Sequence, residues 1–75
     1  MKDDWEWKRI RVPARIPMKR MTDGQIRRHQ GPLEFKARRH VADGEPVDDL
    51  WIFLWLSIKY SVKQSEVEIV NERKT

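Results

Sequence analysis

Leu50-Trp51-Ile52-Phe53-Leu54-Trp55-Leu56-Ser57-Ile58 is the stretch on which the fold turns. It is the longest apolar run in the chain, with Asp43-Gly44-Glu45-Pro46 and Asp48-Asp49 before it and Lys59 and Lys63 after it. Periodicity alone reads such a run either as a buried strand or as a buried helix. Three features favour the helix. An element from Val47 to about Tyr60 exceeds the usual strand length of about 3–10 residues. Asp48 and Asp49 at its start, with Lys59 and Lys63 near its end, complement a helix dipole. Leu50, Phe53, Leu54, Ser57 and Ile58 also share one helical face, and Pro46 is tolerated near a first turn. Trp51 and Trp55 widen the apolar arc beyond what one small sheet covers, so the helix is either deeply cradled or meets a partner. The run is less than half a membrane span, so no membrane partner is expected.

Upstream of this run, Leu33, Phe35, Ala37 and Val41 share one parity with Arg39, while Glu34, Lys36, Arg38 and His40 take the other. That is the period of a half-buried strand with a basic outer face, and Gly31-Pro32 marks its start. Trp5 to Val12 is β-prone. Pro13 and Pro17 make Arg15 to Met21 an edge strand or an extended connection, because proline lacks the donor a central strand needs. Asp23-Gly24 is a hairpin signal before Gln25-Ile26-Arg27-Arg28-His29. Downstream, Val67-Glu68-Ile69-Val70 alternates as a short strand. The order predicts an α+β fold, a small antiparallel or mixed sheet of three or four strands packed against one helix at about residues 47–60. One domain spans 1–75, with 71–75 as a frayed polar tail.

Seventy-five residues allow one domain and a core worth roughly 3–5 kcal/mol. Cysteine is absent, which rules out a disulfide framework or a thiolate zinc site and favours a cytoplasmic home. Met1-Lys2-Asp3-Asp4-Trp5 has no apolar core of the kind a signal peptide needs.

The formal charge of +4 conceals an asymmetry. Residues 1–7 sum to −2, residues 8–40 to +9 and residues 41–75 to −3. In the middle segment only Asp23 and Glu34 oppose the bases, which argues for a directional surface.

The segment from Leu33 to Val70 resembles the YggU-like family of small α+β domains. Val62-Lys63-Gln64-Ser65-Glu66-Val67-Glu68-Ile69-Val70 carries the likeness, with Asp43-Gly44 near the expected turn. The resemblance implies a strand, helix and strand in that order, and it transfers no functional residue.

The candidate anion-binding set is Arg9, Arg11, Arg15, Lys19, Arg20, Arg27, Arg28, His29, Lys36, Arg38, Arg39 and His40. Arginine predominates, which suits bidentate contact to phosphate or guanine. Paired hairpin strands would let Arg27, Arg28, Arg38, Arg39 and both histidines converge on one edge or face. Aromatic interleaving is poor along the sequence, with Phe35 on the apolar parity and only Trp5 and Trp7 nearby. The bland alternative is a solvated surface, or a charged edge that resists aggregation. Trp5, Trp7, Trp51 and Trp55 are candidate interface anchors, since tryptophan is enriched at hot spots. The competing reading places Trp51 and Trp55 in the core and lays Trp5 and Trp7 over an open sheet.

Catalysis and cofactors find no support. Each histidine follows an arginine pair, whose charge disfavours protonation and repels metal ions. Asp43, Glu45, Asp48 and Asp49 fit no loop pattern for magnesium or calcium, and a helix start explains the last two. The sequence therefore predicts a non-enzymatic binding protein without cofactor, whose Arg-rich sheet half contacts nucleic acid or a nucleoprotein machine. The alternative is an interaction module or inhibitor that docks on an acidic protein surface through its tryptophans. Self-association through the apolar arc of the helix is compatible with either.

Overall fold

Where one helix is expected over residues 47–60, the chain makes a tight β-hairpin. The computed structural model describes residues 3–70; the expectation of a frayed tail over 71–75 lies outside them. In chain order the strands are β1 (Asp3–Val12), β2 (Met18–Arg20), β3 (Ile26–Arg27), β4 (Leu33–Ala42), β5 (Glu45–Pro46), β6 (Leu50–Trp55), β7 (Ile58–Lys63) and β8 (Glu68–Val70). A single 3₁₀ turn, Gln64–Glu66, separates the last two, and no α-helix occurs among the described residues. The α+β expectation is therefore overturned: the fold is nearly all sheet, antiparallel throughout.

The physical reason lies in the decisive run itself. Residues 50–55 alternate in the structure, with Trp51 and Phe53 buried while Leu54 stays 63% exposed. Both faces of β6 are apolar, so the alternation leaves no polar trace in the sequence. Trp55 pairs with Ile58 across a two-residue loop, Leu56-Ser57, in which both residues have positive φ (54° and 64°). That is the pattern of a type I′ turn, whose twist matches the flanking strands. Neither leucine nor serine announces it, since such turns normally take Asn-Gly or Asp-Gly. Asp43-Gly44, with φ of 54° and 82°, turns β4 back into β5 in the same manner, with the residues such a turn favours. The acids assigned to a helix start do other work. Asp48 accepts a hydrogen bond from the Leu50 amide at 3.1 Å, and the Asp49 carbonyl accepts one from Gln64 at 2.7 Å.

The strand order is β3-β2-β7-β6-β4-β1-β8, with β5 attached to β4. The strands expected over Leu33–Val41, within Trp5–Val12 and within Val67–Val70 are present as β4, β1 and β8, and Asp23-Gly24 lies in the β2–β3 hairpin. Inner-face residues form one core: Ile10 and Val12 of β1, Met18 of β2, Ala37 of β4, Trp51 and Phe53 of β6, Tyr60 and Val62 of β7, and Val67. Phe35 and Phe53 stack within it, their rings 4.1 Å apart. Met18 and Ile10 come from strands near opposite ends of the order, yet both are fully buried with no helical layer over them. The sheet therefore curls over its own inner face. A molecule of 38 × 38 × 23 Å results, with its second face turned outward.

Candidate functional site

The register of β1 against β4 decides which side chains share the outer face. Trp5 lies opposite His40, Trp7 opposite Arg38, Arg9 opposite Lys36 and Arg11 opposite Glu34. Directly opposed residues project to the same side, so an aromatic pair from one strand interleaves with a cationic series from the other. The Arg38 guanidinium carbon lies 4.5 Å from the Trp5 ring centre and 5.9 Å from that of Trp7. Lys36 Nζ is 5.8 Å from the Trp7 ring, and the His40 ring is 5.1 Å from that of Trp5. The two tryptophans remain 42% and 53% exposed. The charged head groups lie over the rings, and about half of each tryptophan stays open to solvent.

Ion pairing sorts the remaining bases. Glu34 bridges Arg9 at 3.1 Å and Arg11 at 3.0 Å, and these hydrogen bonds, Arg11 foremost, hold its carboxyl below the usual range. Arg20 is tied to Asp23 at 2.5 Å. Arg20, then the Gln25 amide, pulls the Asp23 carboxyl down to about 2. Among the described residues, Lys36, Arg38 and Lys59 join no ion pair.

The outer face continues past β4. Arg38 pairs with Ile52, so Leu50, Ile52 and Leu54 of β6 point outward, as do Lys59, Ser61 and Lys63 of β7 opposite them. A cleft of about 460 Å³ is lined by Trp7, Lys36, Arg38, Ile52, Phe53, Leu54 and Lys59. A second, of about 580 Å³, lies beyond Leu50, where Lys19, Met21, Ile26 and Lys63 are among its walls.

The other predicted residues are dispersed. Arg27, Arg28 and His29 lie at or just after β3, an end strand, whereas Arg38, Arg39 and His40 sit in β4, and β2, β7 and β6 intervene. The two Arg-Arg-His segments do not converge. Arg27 stacks over Trp55 at 4.7 Å and His29 meets the same ring edge-on at 5.5 Å. Arg28 is exposed, and Arg15, with a φ of 67°, donates its amide to the His29 carbonyl at 2.7 Å. Arg39 turns inward: it reaches Glu6 at 2.5 Å, donates to Gln64 at 3.3 Å and lies 4.6 Å from the Trp51 ring. Trp51 is wholly buried, its indole N–H donating to Gln64 Oε1, so it is a core residue and not a surface anchor. Trp55 is half-buried against Phe35 and Tyr60. The apolar helical arc expected to drive self-association does not exist, its residues being divided between two sheet faces.

Ile52, Leu54 and Lys59 escaped the sequence reading of the site. The available signal was that Leu50, Ile52 and Leu54 add a second apolar parity to a strand, which a sheet packed on one face does not need. Among the described residues no three His, Asp or Glu side chains gather as a metal site, and no helix is long and apolar enough to cross a membrane. No protein-family model, curated protein or solved structure matches the chain.

Proposed function

We propose that this protein is a non-enzymatic nucleic-acid-binding module of the cytoplasm, acting alone on its ligand or within a nucleoprotein assembly. One observation carries the reading: on the outer face of the β1–β4 ladder the exposed Trp5 and Trp7 lie beside Lys36 and Arg38, neither of which joins an ion pair among the described residues. Phosphates supply the negative charge that Lys36, Arg38 and Lys59 lack, and bases supply flat surfaces for Trp5 and Trp7. Sheet surfaces with that pairing of aromatic platforms and cations suit nucleic acid, because every nucleotide carries both a phosphate charge and a flat base that can stack.

Fluorescence anisotropy with labelled oligonucleotides over a salt series tests the reading. Binding should weaken linearly in log salt, with a slope near −0.7Z on single strands for Z neutralised phosphates. Lys36→Glu combined with Arg38→Glu should abolish it. Absence of any binding to DNA or RNA at low salt sinks the proposal.

A second reading has one observation in its favour. Leu54, Leu56, Met21 and Ile26 are each about half to two-thirds exposed, more apolar surface than phosphate contact requires. An acidic protein with an apolar centre is the alternative partner, steered by the same cations. Stoichiometric capture of a protein from nuclease-treated lysate, lost in the Leu54→Glu variant, would favour it.

A further inference from the structure

We infer that the outer face takes unpaired rather than duplex nucleic acid, with one base lodged in the cleft between Trp7 and Leu54. This rests on the nucleic-acid reading above and adds the ligand class and its path.

The cleft combines apolar and cationic side chains in its lining. Trp7, Ile52 and Leu54 are the apolar outer-face side chains in its lining, and Lys36, Arg38 and Lys59 supply the polar remainder. Among the described residues no carboxylate lines it. A phosphodiester strand presents that same combination once its bases are free: a flat, weakly polar ring on one side of each sugar and an anion on the other. In a duplex the ring faces are already stacked, so the apolar lining would stay in contact with water and Trp7 would have nothing to cover. The charge arrangement agrees. Arg38 lies over Trp5 and 5.9 Å from the Trp7 ring centre, so a guanidinium with several N–H donors stands beside both aromatic platforms.

The placement also sets a direction. Trp5 and Trp7 lie two residues apart on one strand face, about 7 Å at the usual rise, and offer two successive platforms. From Trp7 the cleft leads over β4 and β6 to Lys59 of β7, three strand spacings or about 14 Å away. The ligand accordingly crosses the strands, entering beside Trp5 and leaving past Lys59.

Four labelled ligands of equal length, about 12 nucleotides, distinguish the possibilities. They are single-stranded DNA, single-stranded RNA of the same sequence, the DNA duplex, and an abasic strand with the same number of phosphates. Either base-bearing single strand should bind about tenfold or more tightly than the abasic strand and the duplex, and should quench tryptophan emission. Comparison of the RNA and DNA arms names the natural source. Trp7→Ala and Leu54→Glu should each reduce single-strand affinity to the abasic level, while Trp7→Phe restores most of it. Melting by circular dichroism checks that the variants fold, and Leu54, being exposed, leaves the core untouched. Equal binding of abasic and base-bearing strands, or tighter binding of the duplex, overturns the inference while leaving the nucleic-acid reading in place. Failure of all four ligands at low salt overturns both.

Discussion

Arg38 and Arg39 are consecutive in the chain and work on opposite sides of one sheet. Arg38 lies across Trp5 on the open outer face, 4.5 Å from its ring centre, while Arg39 reaches inward to Glu6 at 2.5 Å and lies over Trp51. A strand turns successive side chains to opposite faces, so one arginine lies on the open face and its neighbour is built into the fold.

The pair should separate under mutation. Arg39→Ala removes charged hydrogen bonds from a half-buried site and should cost about 1.5–3 kcal/mol of stability. Arg38→Ala should cost only about 0.5–1 kcal/mol, the worth of an exposed cation–π contact. It should instead weaken oligonucleotide binding about tenfold, as expected for one lost charge-assisted contact. Urea denaturation and anisotropy titration on both variants check this; equal effects on stability contradict the assignment.

The Leu56-Ser57 turn holds two side-chain-bearing residues at positive φ, where glycine and asparagine are at ease. Leu56→Asn with Ser57→Gly should therefore stabilise the protein by about 1–2 kcal/mol. The urea midpoint should rise with an unchanged m-value, and the hairpin register should persist in nuclear Overhauser contacts between Trp55 and Ile58.

Tyr60 is fully buried, and its hydroxyl has no hydrogen-bond partner among the described residues. An unsatisfied buried hydroxyl is a burden of about 1–3 kcal/mol, so Tyr60→Phe should be neutral or stabilising. A loss of stability in thermal melts would reveal a buried water or a partner for that oxygen.

Acid should act on the β2–β3 turn late. Asp23 is held down to about 2 from an ordinary 3.8 by Arg20 and the Gln25 amide. Its folded value is depressed, so its contribution to stability is fully present above the ordinary value and is lost as pH falls from there through 2. Carboxyl carbon shifts followed by NMR should place its midpoint near 2, with Glu34 also below its normal range because of Arg11 and Arg9. In the Arg20→Gln variant the Asp23 midpoint should return toward its ordinary value.

How far the sequence discloses this molecule depends on the segment. Leu33 to Val41 reads as a strand because Gly31-Pro32 punctuates it and polar residues mark its outer parity. Val47 to about Tyr60 reads as a helix because the outer parity of the apolar run is itself apolar and its turn carries leucine and serine. The cation-rich segment is plain from composition. The interleaving of Trp5 and Trp7 with Lys36, Arg38 and His40 is not, because a pairing register joins residues some thirty positions apart in the chain, such as Trp7 and Arg38.

From its sequence alone this chain could be read as free of cysteine, strongly basic in its middle and β-forming at Trp5–Val12 and Leu33–Val41. Those properties follow from composition and from alternation within a few residues, which local sterics and burial suffice to set. Only the tertiary structure decided that the tryptophan-rich run is a hairpin, that Arg39 is spent on Glu6, and that Arg38 stands free beside two exposed indoles. Those outcomes depend on which strand lies beside which, and pairing energy is shared across residues far apart in the chain.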